Sequence, residues 1–323
     1  MESLQNFGIA LIVALQTLSP ALDGVMYFFS FLGTVEFFMI FIPLVYWLVD
    51  PKLGFRLLIL LNLTTLVTMS CKLLFHQPRP YWLGGVKELS TEPSYGIPSS
   101  HASSSVAMLG YLAYRLKKNW LTALLVGVVL LIALSRLYLG VHFPHDVLAG
   151  WLIGFLMIVV FVWGEKKLSP WLNRLSAGAQ TSLGFAVSLA IILIGLLIRV
   201  LIAPYPDPAA WADFAIQARS LSYHVTLAGT FFGAVAGYSL MLRYASFRPA
   251  ATWWRLIVCY ALGIVSLLIL NSGLDLLFGL LAADESTIGF LLRYIRYATI
   301  NFWAIFAAPW IFLNLKLVRP AVE

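Results

Sequence analysis

Residues 181–203 read Thr-Ser-Leu-Gly-Phe-Ala-Val-Ser-Leu-Ala-Ile-Ile-Leu-Ile-Gly-Leu-Leu-Ile-Arg-Val-Leu-Ile-Ala, with a single charge at Arg199. A helix needs about 20 mostly apolar residues to cross a bilayer, so this run reads as a spanning segment. Comparable windows recur at 20–49, 54–76, 101–118, 120–140, 146–163, 221–242, 254–281 and 289–316. The first is long and contains Gly33, where a break is expected. Residues 5–18 form a shorter apolar run, read as an interfacial helix. Composition agrees: 61% of the 323 residues are hydrophobic and only 11% charged, against roughly 25% charged in a soluble domain. Mean hydropathy is +0.90. So few charges cannot cover a soluble surface, which excludes a soluble globular protein, a disordered chain and a coiled coil. The fold class is therefore all-α, a polytopic membrane helical bundle of about nine transmembrane helices with an N-terminal interfacial helix.

The net charge of +7 is scattered over loops, so no nucleic-acid partner is expected. Cys71 and Cys259 both lie in apolar segments and form no disulfide or zinc pattern. Met1-Glu2-Ser3 carries no basic residue, so no cleaved secretory signal is expected. Thirteen basic residues fall on the side opposite the 77–100 loop, and eight on the loop's own side. The positive-inside rule places that loop away from the cytoplasm and the C-terminus within it. A bacterial inner membrane with a periplasmic site is the expected setting.

Three segments carry chemistry. Lys72 ends the 54–76 window, and Arg79-Pro80 follows it after six intervening residues. A cation at that depth is costly without an anionic partner. Pro98-Ser99-Ser100-His101 enters the next helix with good N-terminal residues, and free N–H groups at such an end suit a phosphate. Ser135-Arg136 is followed after five residues by His142, and after three more by Asp146. Each segment has a plain structural reading: interface-snorkelling cations, an ordinary helix start, and a structural His–Asp pair. Together they place two histidines, one orienting carboxylate and three cations at helix ends on one face.

That order and spacing resemble the three-part signature of the phosphatidic acid phosphatase type 2 superfamily, which includes lipid phosphatases, glucose-6-phosphatase, sphingosine-phosphate phosphatases and vanadium haloperoxidases. The signature covers 72–146, and the wider likeness extends over about 20–165. Ser100 stands where glycine is commoner in the family, which implies an altered substrate fit. The resemblance divides the chain into a phosphatase core, 1–165, and additional C-terminal transmembrane helices, 166–323; about nine spans is similar to the glucose-6-phosphatase and sphingosine-phosphate phosphatase branch.

The resemblance also implies roles. His142 is the nucleophile, Asp146 fixes its tautomer, and His101 is the acid for the leaving oxygen and then the base for water. Lys72, Arg79, Ser99, Ser100 and Arg136 hold the phosphate oxygens. Three fixed cations and no carboxylate cluster imply a metal-independent reaction without a cofactor. The implied partner is an amphiphilic phosphate drawn from the bilayer: a polyprenyl pyrophosphate, a phospholipid phosphate or a sphingoid phosphate, with a small soluble ester still open. A lipid-to-lipid phosphotransferase and a non-catalytic lipid-phosphate binder or transporter are the competing readings. His76 and His145 are expected in structural or rim roles, and Asn271 with Asp275 in a helix–helix clasp.

Overall fold

The computed structural model describes residues 2–250 and 252–321. Helices dominate, because every backbone polar group in a lipid phase must be satisfied within its own segment. In chain order these are α1 (Glu2–Gln16), α2 (Asp23–Phe31), α3 (Val35–Leu48), α4 (Pro51–Phe75), α5 (Ser100–Leu116), α6 (Asn119–Tyr138), α7 (Pro144–Leu172), α8 (Ala177–Ile202), α9 (Ala212–Ala218), α10 (Ser222–Tyr244), α11 (Trp253–Leu281), α12 (Thr287–Phe302) and α13 (Ala308–Asn314). Two-residue strands β1 (Phe247–Arg248) and β2 (Arg319–Pro320) pair antiparallel.

Each of the nine expected windows falls on a helix, but among the described residues six helices are long and apolar enough to cross a membrane. A seventh span arises if α2 and α3 count together, bent by 52° at the Gly33 break. The shortfall from nine has physical reasons. Helix α5 has only 17 residues and opens on serines and a histidine. The 289–316 window is split by a π turn at Trp303–Ala307 and carries Arg293 and Arg296. Helix α1, outside those nine windows, has 15 residues, too few to span, as expected of an interfacial helix. The long helices α7 and α8 leave Leu152, Phe155, Val159, Leu193, Leu197 and Val200 exposed, as a lipid-facing surface requires.

The chain forms two compact units that interleave along the sequence. The first comprises the chain up to Phe38, Leu63–Val162 and Gly195–Ser220; the second comprises Met39–Asn62, Trp163–Ile194 and Leu221 onward.

In the first unit, α7 crosses α5 at Gly150 and Gly154. A Cβ on Gly150 would lie 2.6 Å from Ser99 O, and one on Gly154 would lie 2.5 Å from Ser103 O. Small residues four apart let two backbones touch, which is how helices associate without a hydrophobic driving force. The α5 face is itself small and buried, with Ala102, Ser103 and Ala107. Ser103 Oγ also lies 2.9 Å from Thr68 Oγ1 on α4.

In the second unit, Gly229, Gly233 and Gly237 of α10 form a similar stripe against Tyr294, Ala298 and Ile305. The π turn has a structural complement there. Tyr46 Oη donates to Ile305 O at 2.8 Å, and Trp47 Nε1 donates to Ala304 O at 2.9 Å. Carbonyls displaced from regular helix bonding thus find buried side-chain donors. The expected clasp is present: Arg296 Nη1 donates to Asp275 Oδ1, and Nη2 donates to Asn271 Oδ1 at 3.0 Å.

Candidate active site

All eight residues singled out from the sequence belong to the first unit, and six are close to fully buried: Lys72, Arg79, Ser99, Arg136, His142 and Asp146. Ser100 and His101 are half-buried.

The α6–α7 connection aims the nucleophile candidate. Gly140 follows the end of α6 at φ +75°, the left-handed conformation that closes helices at little cost only in glycine. Its N–H donates to Leu137 O at 3.0 Å, and Val141 N–H donates to Arg136 O at 3.2 Å. The chain then turns His142 inward. Its Nδ1 lies 3.2 Å from Asp146 Oδ2, which also accepts Phe143 N–H at 2.9 Å. Its Nε2 lies 3.1 Å from Arg79 Nη1. A guanidinium only donates, so Nε2 is the acceptor and Nδ1 carries the proton to Asp146. Burial, then the charges of Arg79, Lys72 and Arg136, hold the imidazole well below its ordinary value of 6.5. His142 is therefore neutral near pH 7, with its lone pair on Nε2.

The cations are fixed by carbonyls. Lys72 Nζ donates to Tyr95 O, and to Gly96 O at 3.0 Å. Arg79 donates to Ser94 O at 2.5 Å, to Ser94 Oγ at 3.0 Å and to Val141 O at 2.9 Å. Ser99 caps α5: its Oγ accepts from Ala102 N–H, and its own N–H donates to Asp146 O at 2.9 Å. Thus α5 and α7 are joined at the site by backbone as well as by packing. Ser100 Oγ approaches Met69 Sδ at 3.8 Å. The His101 ring packs on Gly33, where a Cβ would lie 2.9 Å from its Cδ2. The α2–α3 break is thus where His101 gains its room.

Several participants have no sequence signal of their own. Glu92 accepts a charge-assisted bond from Arg136 Nη2, while Arg136 Nη1 donates to Ser30 Oγ. Burial pushes the Glu92 carboxyl up, but Arg136 foremost, with His101, Arg79 and Lys72, outweighs this and holds it at about 2. The signal available in advance was a charge imbalance: three buried cations against one carboxylate. Tyr95 is tied by its Oη to Asp207 at 2.9 Å, and Arg219 Nε donates to Asp207 at 2.6 Å. Trp82, Trp211 and Phe214 pack over this corner. His145 stacks on Phe143 with Nε2 3.4 Å from Asp146 Oδ1, and His76 is half-buried with its Nδ1 3.1 Å from Leu74 O, so both stand at the rim. Among the described residues, no three His, Cys, Asp or Glu side chains cluster to hold a metal. Cys71 and Cys259 are free thiols.

A buried His–Asp pair among two arginines and a lysine has the charge and the donors to hold an oxyanion. Residues 53–169 match the profile of the PAP2 superfamily, and residues 225–320 match that of the PAP2 superfamily phosphatase transmembrane extension. The chain is an integral membrane protein of the PAP2 superfamily, and the relatives it matches are phosphatases.

Rat sphingosine-1-phosphate phosphatase 1 is 33% identical over 145 residues, 42% of this chain and 34% of that protein. Lipid phosphate phosphatase delta of Arabidopsis thaliana is 25% identical over 76% of this chain and 58% of its own. The alignments to the sphingosine-phosphate phosphatases span only about a third of those proteins' length. A transmembrane PAP2 type phosphatidylglycerolphosphate phosphatase of Bacillus subtilis superposes with a TM-score of 0.46 at 24% identity, over 52% of this chain and 89% of that one.

Proposed function

We propose that the protein hydrolyses the phosphate or pyrophosphate of an amphiphile without a metal, through a phosphohistidine on His142. The observation that carries this reading is the position of His142 between Asp146 and Arg79, with its Nδ1 toward the carboxylate and its Nε2 lone pair facing a guanidinium. Nε2 attacks phosphorus, and Asp146 stabilises the positive ring that forms. His101 gives its proton to the leaving oxygen as the ester bond breaks. It then takes a proton from the water that displaces His142 and releases inorganic phosphate. Lys72, Arg79 and Arg136, with the Ser99 hydroxyl and the Ser100 and His101 amides, hold the equatorial oxygens. Preorganised charge supplies most of the catalysis in such a transfer.

The substrate class is a long-chain phosphate whose tail stays in lipid, a sphingoid phosphate being first to test in view of the relatives' names. Residues 1–165 form the catalytic core, and 166–323 are additional membrane helices. The site faces away from the cytoplasm: the periplasm of a bacterial inner membrane, or an equivalent lumen.

The test is phosphate release by purified protein in mixed micelles from sphingoid phosphate, phosphatidate, a polyprenyl pyrophosphate and glucose 6-phosphate, with excess EDTA present. Release from an amphiphile that vanadate inhibits and His142→Ala lacks is the expected result. Activity that vanishes in EDTA and returns with Mg²⁺ overturns the metal-free mechanism. Phosphoryl transfer to an added lipid alcohol without free phosphate makes the protein a transferase.

A further inference from the structure

The site contains an acid that an anion-binding site has no evident use for. Asp146 is committed to His142 and to the Phe143 N–H. Glu92 instead occupies the Nη2 edge of Arg136, where it competes with a phosphate for the guanidinium. A half-buried carboxylate in that position repels a dianion unless it has another cation to go to.

One cation is within reach. The same Glu92 Oε1 lies 3.9 Å from His101 Nδ1, too far for a hydrogen bond but about 1 Å short of one. The other ring nitrogen, Nε2, is buried and without a hydrogen-bond partner. Gly33 packs on the Cδ2 edge of the ring, so the imidazole has little room to swing. The ring is therefore held with Nδ1 toward the carboxylate, as His142 holds its Nδ1 toward Asp146, but with Nε2 free where that of His142 faces Arg79. The Glu92 backbone is pinned, because its N–H donates to Tyr81 Oη at 3.1 Å and its carbonyl accepts from the same hydroxyl at 3.2 Å. Only the carboxylate end is left to move. The charged groups around His101 are Glu92, Arg136, Arg79 and Lys72.

We propose that Glu92 is a switched positioning residue: it neutralises Arg136 while the site is empty and passes to the His101 Nδ1–H once a phosphate takes the guanidinium. The inference rests on the phosphatase reading above and adds the group that keeps His101 protonated and aligned. Phosphate binding thereby assembles the acid. The proton leaves from Nε2 to the departing alkoxide, and Glu92 stays ionised throughout.

The experiment compares wild type, Glu92→Gln and Glu92→Asp on a long-chain alkyl phosphate, which needs an acid for its leaving oxygen, and on p-nitrophenyl phosphate, which does not. Glu92→Gln is expected to lose ~100-fold in kcat on the alkyl ester and about threefold or less on the aryl ester. Glu92→Asp recovers part of the difference. In vanadate-loaded protein the ¹⁵N-imidazole titration of His101 moves to lower pH in Glu92→Gln.

Equal losses on both esters, or a gain on both through relief of competition at Arg136, overturn the proposal, as does an unmoved His101 titration. If Glu92→Gln fails to fold, Glu92→Asp decides the matter by the same ratio of esters. Wild type that releases phosphate from neither ester defeats the phosphatase reading itself. Wild type that releases it with a ratio of rates indifferent to residue 92 defeats only the role of Glu92.

Discussion

Arg79 Nη1 lies 3.1 Å from His142 Nε2, and the same guanidinium nitrogen donates to Val141 O, one residue back along the chain. One cation thus fixes both the backbone and the ring of the proposed nucleophile. It also forces the proton onto Nδ1, toward Asp146. His142→Ala removes the lone pair and leaves the scaffold: phosphate release is expected to fall about 10³-fold or more, with the detergent melting temperature little changed. Activity within tenfold of wild type would identify another nucleophile.

The Glu92 carboxyl, held at about 2 against an ordinary 4.5, makes stability depend on acid. A depressed carboxylate stabilises the fold above its ordinary value, and that contribution is lost as pH falls from 4.5 toward 2. The lost stability is up to about 3 kcal/mol. Wild type should therefore lose melting temperature over that range, and Glu92→Gln should follow a flatter profile. Parallel profiles for the two proteins would refute a charged Arg136–Glu92 pair.

Gly154→Val places a Cβ 2.5 Å from Ser103 O and 2.8 Å from Val106 Cβ. The α5–α7 crossing must open, at a cost of about 1–3 kcal/mol, and Ser99 moves with it. Both melting temperature and phosphate release should drop. Gly164→Ala on the same helix meets nothing within 4 Å and is expected to be neutral or slightly stabilising. Equal effects from the two would mean that α7 is not packed tightly on α5.

Orientation is tested by labelling. Glu88 and Asn119 are both exposed, and Glu88 avoids the neighbouring Gly84 and Gly85, whose φ values of +78° and +81° strain any side chain. In a background without Cys71 and Cys259, an impermeant maleimide is expected to react with Glu88→Cys in intact cells and to miss Asn119→Cys. The reverse pattern would put the site on the cytoplasmic side.

Much of this protein follows from its sequence alone, because the bilayer imposes a local rule. A long apolar run such as 181–203 must be helical to satisfy its own backbone, so the helices were legible window by window. The places of Lys72, Arg79, Ser99, Arg136, His142 and Asp146 at helix ends were legible too, from a spacing that resembles the family's signature, and the structure buries all six in one unit. Tertiary structure decided what short-range spacing cannot express. Nothing around Glu92 marks it as the partner of Arg136, 44 residues away; that pairing exists only because the loop after α4 folds back over the end of α6. The length of α5, the π turn that divides the 289–316 window, and the Gly33 break that houses His101 were likewise set by packing. A helix stops, bends or bulges where a neighbouring backbone supplies or withholds partners for its polar groups, and those neighbours are distant in the chain.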